Sequence, residues 1–99
     1  MTPTTDHKVI RAWASSRGAL PAKVRGTDDG VPAVLRFLIP GANFNNKDLV
    51  EVTWEYFFTQ FDLLGLGFVY QEQTSSGEPS TLNEILRLER TGQEYLLAN

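Results

Sequence analysis

The sequence predicts an α+β domain in two layers, with an antiparallel sheet covered by two helices on one face. Three observations carry that prediction. Apolar residues recur at helical spacing in two segments, they alternate at strand spacing in others, and turn residues divide the chain into the order helix, hairpin, helix, hairpin. A chain of 99 residues has material for one core. The domain is expected over 6–99, with residues 1–5 a disordered end.

The first helix is predicted over 6–17. Thr5 or Asp6 is placed to accept hydrogen bonds from its free amides, and Val9, Ile10, Trp13 and Ala14 share one side. Gly18 suits the left-handed residue that stops it, with Arg17 at the negative end of the dipole. A hairpin follows, over 21–27 and 32–39, around the Asp29-Gly30 turn signal. Pro40-Gly41 closes it, and 42–48 read as a polar loop. The second helix, 54–64, begins at Thr53 and carries Trp54, Phe57, Phe58, Phe61 and Leu64 as one stripe, with Gly65 as its stop. After Gly65 the period changes to two, so that Phe68 and Tyr70 face one way and Val69 and Gln71 the other.

Residues 81–90 read in two ways. As a strand, Leu82, Leu86 and Leu88 share a face. As a helix, Leu82, Ile85 and Leu86 form a stripe and Thr81 with Glu84 makes a capping box. The short turn at 74–80 favours a strand, because a hairpin is the simplest continuation of the strand before it. The tail adds a short strand or a turn of helix.

Composition excludes several kinds of chemistry. Hydrophobic residues at 41% and charged residues at 21% are ordinary globular usage, not that of a disordered chain. Without cysteine there is no disulfide, thiolate metal site or cysteine nucleophile. No apolar run reaches the roughly 18–20 residues of a membrane span, and the N-terminus lacks the pattern of a signal peptide, so no membrane contact and a cytoplasmic location are expected. Charge is uneven. Residues 1–36 carry six bases against three acids, and residues 37–99 carry three against nine, giving +3 and −6. Such a split is most simply solvated surface charge; it can also mark a binding face, or let the two halves attract each other within one fold or between two copies.

The segments His7–Thr27, "LRFLIPG", "TWEYFFTQFD" and "LGFVYQEQTSSGEPS" together resemble a family of small bacterial proteins. Its pattern is His-x-x-Ile-Arg-x-Trp-Ala, Arg-Gly, Pro-Ala-x-Val-x-Gly-Thr, Leu-Arg, Pro-Gly, Trp-x-x-Phe-Phe-x-x-Phe and Leu-x-Phe-x-Tyr-Gln-Glu, and the match runs over about 7–83. Some members carry a glucan branching enzyme label. Barrel glycosidases need about 200 residues or more, twice this chain. Two departures stand out. The family has Ser-Trp-Asp-Glu where this chain has Thr53-Trp54-Glu55-Tyr56, losing the back-bonding glutamate. It also has Arg-Phe-Asn-Lys where this chain has Thr81-Leu82-Asn83-Glu84, exchanging basic residues for neutral or acidic ones.

Candidate sites follow from the residue types. His7 is the one histidine and has no triad motif around it, so a packing or capping role is expected. Glu51, Glu55 and Asp62 are spaced as carboxylate pairs, but acids near a helix start also serve the dipole. No catalytic residue, metal site or cofactor is assigned. Lys8, Arg11, Arg17, Lys23 and Arg25 lie in 18 residues without an acid, a candidate binding face for a protein or, weakly, for nucleic acid. Lys23 and Arg25 would project from one strand face. Tyr56 lies off the aromatic stripe, and Tyr70 and Glu72 lie on the "FVYQE" strand, so these three are candidates for a ligand contact. The function expected is a non-catalytic interaction module, adaptor or regulator, binding a protein partner or itself. Weak nucleic-acid binding and carbohydrate-related binding or catalysis are the alternatives.

Overall fold

The computed structural model describes residues 2–41, 46–91 and 94–97. Helix α1 spans His7–Ser15. Asp6 caps it, its carboxylate accepting from the Lys8 and Val9 amides at 2.9 and 3.4 Å. The helix closes where Gly18 adopts φ 67° and the Ala19 amide donates to the Ala14 carbonyl at 2.9 Å.

Strands β1 (Leu20–Val24) and β2 (Leu35–Leu38) form the expected antiparallel hairpin, with Ala22 opposite Arg36. They are shorter than the alternation predicts. The Thr27 hydroxyl donates to the Val24 carbonyl at 2.7 Å and accepts from the Val34 amide at 3.2 Å, so residues 25–34 become a self-bonded loop. Strand β3 (Leu49–Glu51) pairs with the other edge of β1, Ala22 lying opposite Glu51. It follows the expected polar loop, which lies partly outside the described residues. Helix α2 (Trp54–Leu63) is capped by Thr53, whose hydroxyl accepts from the Tyr56 amide at 3.0 Å. Gly65, at φ 66°, turns the chain into β4 (Leu66–Tyr70). Residues 81–90 resolve as a strand: β5 (Asn83–Thr91) pairs antiparallel with β4, and β6 (Glu94–Leu97) pairs with its far end.

Among the described residues the chain is therefore α+β, with two helices and two three-stranded antiparallel sheets, ordered β2-β1-β3 and β4-β5-β6. The single sheet expected from two hairpins is corrected. The Val24–Val34 hydrogen bond sets the β1–β2 ladder so that the Leu35 carbonyl points away from β1. Arg36 Nη1 donates to that carbonyl at 2.9 Å, occupying the acceptor that a further strand would use. Within the end expected to be disordered, Thr4 is paired. Thr4 exchanges two backbone hydrogen bonds with Phe68, of 2.8 and 2.9 Å, because β4 offers a free edge opposite β5. Sequence pattern does not report such a pairing, since one bridging residue has no period.

The core is aromatic. Phe57 and Phe61, the centre of the α2 stripe, are fully enclosed with Ile10 and Phe68, while Trp54 and Phe58 lie on its shoulder. Trp13 of α1 meets Phe37 of β2 at 5.9 Å and Phe68 of β4 at 5.2 Å between ring centres. Phe57 of α2 meets Phe37 at 5.1 Å. Phe37 thus joins both helices to the first sheet, and Phe68 joins the second sheet to both by way of Trp13 and Phe37. Ile85, opposite Phe68, is the β5 residue packed on this core. Leu86 and Leu88, expected to share a face with Leu82, lie on the opposite side of β5 from Ile85, since strand register places Ile85 out of phase with them.

Candidate functional site

The basic N-terminal residues do not converge. Arg17 is the clearest case. Its side chain is only 5% exposed. Its guanidinium lies 4.5 Å from the centre of the Trp13 ring and donates to the Trp13 carbonyl at 2.9 Å, the Glu72 carbonyl at 2.6 Å and the Ser80 carbonyl. Glu72 adds a carboxylate oxygen at 3.7 Å. Arg17 is an internal clamp that ties the end of α1 to the connection between β4 and β5, and its expected surface role is corrected. A planar guanidinium with five donors suits several carbonyls at once.

Arg11 places its guanidinium 5.5 Å from the Trp54 ring centre, linking α1 to α2. Lys23 faces α2, with its amine 5.6 Å from the Tyr56 ring centre and bonded to the Thr27 carbonyl at 3.2 Å. Arg25 lies just beyond the end of β1, its amide donating to the Asp48 carbonyl at 2.7 Å and its guanidinium reaching the Lys47 carbonyl at 3.4 Å. Lys8 is exposed on α1. Tyr70 stacks on Phe68 at 5.4 Å and packs on the core, and it stays partly exposed beside Leu82 and Asn83. Glu72 is exposed beside Arg17.

Tyr56 is half-buried, and its hydroxyl donates to the Asp28 carboxylate. Desolvation, that hydrogen bond and the negative charges of Asp28 and Asp29 raise its pKa from 10.0 to about 12. The phenol is thereby held neutral and is a poor proton acceptor. It anchors the β1–β2 loop at Asp28, which occupies the left-handed region at φ 76°.

Two arrangements escape sequence reading. The first joins residues 55 apart: His7 Nε2 lies 2.9 Å from Asp62 Oδ1, with the imidazole stacked on Phe58 at 4.0 Å. Beside it a cavity of about 550 Å³ is lined by Pro3, Phe61, Asp62, Leu66 and Leu88, among others. An acid in the last turn of a helix opposes the dipole, which is the one sequence hint of a tertiary partner. Among the described residues no group of three or more His, Asp or Glu is placed to hold a metal ion, and no helix is long and apolar enough to cross a membrane.

The second is the face of the first sheet that points away from the core. Leu35, Phe37, Pro21 and Lys23 point inward, so their neighbours point out. The outward side chains form three rows. Leu20 lies beside Leu38. Ala22 lies between Arg36 and Glu51. Val24 lies between Val34 and Leu49. Leu20 is 43% exposed, the other aliphatic side chains of the outer rows are partly exposed, and Arg36 and Glu51 are both exposed, while Ala22 between them is fully buried, so the centre of this face is covered. Family models, curated proteins and solved structures contain no match to this chain.

Proposed function

We propose that this domain is a non-catalytic interaction module that docks a protein partner on the outward face of its first sheet. In this reading the two helices cover one side of the first sheet, and Leu20, Arg36 and Glu51 are what stays exposed on the other, around an enclosed Ala22. The observation that carries the proposal is that face itself: five aliphatic side chains around one cation and one anion, on rigid strands rather than a loop. The reading needs no cofactor.

Other readings have less behind them. A nucleic-acid surface would draw on Arg11, Arg17, Lys23 and Arg25, which have intramolecular partners. Sugar stacking would need free ring faces, and the rings are packed on one another.

Photo-crosslinking of the full chain in its native cell extract tests the proposal. Leu20→Glu and Val24→Glu should abolish crosslinks to protein, a second copy included, while Lys8→Glu keeps them. The reverse pattern would move the docking surface to α1.

A further inference from the structure

We infer that the cavity beside His7 and Asp62 binds a small organic cation, a primary amine carrying one alkyl or arylalkyl arm. The site is independent of the docking face, since none of its described lining residues belongs to the first sheet.

The walls stand on hydrogen-bonded backbone. Thr4 is pinned to Phe68 by two backbone hydrogen bonds, which fixes Pro3 and Thr5 along the edge of β4. Gly67 lets Pro3 and Leu88 approach each other, for a Cβ there would lie 3.0 Å from the first and 3.1 Å from the second. Gly65, at φ 66°, turns the chain from α2 into β4, so that Phe61 and Asp62 of the helix join Leu66 of the strand on one cavity. Its volume, about 550 Å³, is that of a small-molecule site.

Walls and charge together select the ligand. Pro3, Phe61, Leu66 and Leu88 offer carbon surface, and each methylene enclosed there adds about fourfold in affinity. Asp62 is the one charged group among the described lining residues. Its side chain is 58% exposed, and its one partner among the described residues is His7, whose Nε2 donates to Oδ1 at 2.9 Å. The imidazole is itself held by stacking on Phe58 at 4.0 Å. The carboxylate is therefore oriented through one oxygen and keeps the other for a ligand. The last turn of α2 adds the negative end of its dipole, so carboxylate and dipole both attract a cation and repel an anion. An ammonium carries three N–H donors. Asp62 takes one, and the hydroxyls of Thr2 and Thr5, which also line the cavity, suit the others.

Titration of the full chain with octylamine, octanol and octanoate tests this, followed in NMR by the Gly65 and Leu66 amides and the Leu66 and Leu88 methyls. Octylamine should bind with a Kd of about 1 mM or tighter. Octanol should bind about tenfold more weakly, and octanoate more weakly still. Methylamine, the charge without the arm, should move none of these signals. Asp62→Asn should bring octylamine down to the level of octanol and leave octanol as it was, which also shows that the variant keeps its cavity. Asp62→Lys should reverse the order, octanoate then binding tighter than octylamine, a gain that a damaged fold does not produce. The inference is overturned if octylamine moves none of these signals, if octanoate binds the wild type as well as octylamine does, or if octylamine keeps its advantage in Asp62→Asn.

Discussion

The two faces of the first sheet come from the same three strands and have opposite fates. The inward face carries Leu35 and Phe37, both buried, with Pro21 and Val52 beside them. Its one charge, on Lys23, is tied to the Thr27 carbonyl and the Tyr56 ring. The outward face carries aliphatic side chains of similar character, yet they remain partly exposed, and its charges have no ion-pair partner among the described residues. Hydrophobicity alone does not separate the faces. What separates them is the ring cluster of α1 and α2, which has only one side of the sheet to cover. The lesson is that a strand alternating apolar with apolar has a second surface to account for, and here that surface is the place to look for a partner.

Substitutions on the two sides sharpen this contrast. The largest effect belongs to Phe57, which is fully buried against Phe37, Trp54, Phe58 and Phe61. Phe57→Ala should cost about 3–5 kcal/mol in urea unfolding, since the cavity is walled by other rings that collapse poorly. Arg17→Ala comes next, at about 2–4 kcal/mol, because it takes the Arg17 donor from the Ser80 carbonyl and one of two donors from the Trp13 and Glu72 carbonyls, which keep Ser16 Oγ and the Ser80 amide, and removes the guanidinium packed on the Trp13 ring. Arg17→Lys should recover little of that loss, a single ammonium being unable to span the three acceptors. Faster amide exchange in residues 71–80 would locate the damage.

Gly67 tests the second sheet. A Cβ there would stand 3.0 Å from Pro3 Cβ and 3.1 Å from both Leu88 methyls. Gly67→Ala should therefore cost about 1–3 kcal/mol through overpacking and loosen the Thr4–Phe68 pairing, which exchange at the Phe68 amide would report.

Alkaline titration tests the loop anchor. The folded pKa of Tyr56 lies above its unfolded value of 10.0, at about 12, so the fold favours the neutral phenol. Its contribution is complete below pH 10 and is lost as pH rises from there to about 12. Tyrosinate absorbance should show one late step near pH 12 that Tyr56→Phe removes. A Tyr56 that ionises with the other tyrosines would mean that its bond to Asp28 is not kept in solution.

The smallest effect on stability belongs to the outward face. Leu20→Ser, at a site already 43% exposed, should change unfolding by no more than about 0.5 kcal/mol. The same change should abolish crosslinking to a protein partner. A core-sized stability loss there would place Leu20 in the interior and erase the contrast between the faces.

Sequence by itself determined the local elements. Asp6 and Thr53 as caps, Gly18 and Gly65 as stops, the ring stripe of α2 and the alternation through Phe68 and Tyr70 are written in short-range patterns, because hydrogen bonding and side-chain direction repeat every two or 3.6 residues. Tertiary structure alone decided how those elements meet. It turned Arg17 from a surface base into a buried clamp, paired Thr4 with Phe68, and brought His7 to Asp62 across 55 residues. It also split one expected sheet into two and set Arg36 and Glu51 on either side of Ala22. Those contacts have no period, since each depends on which strand edge and which face the aromatic core leaves open.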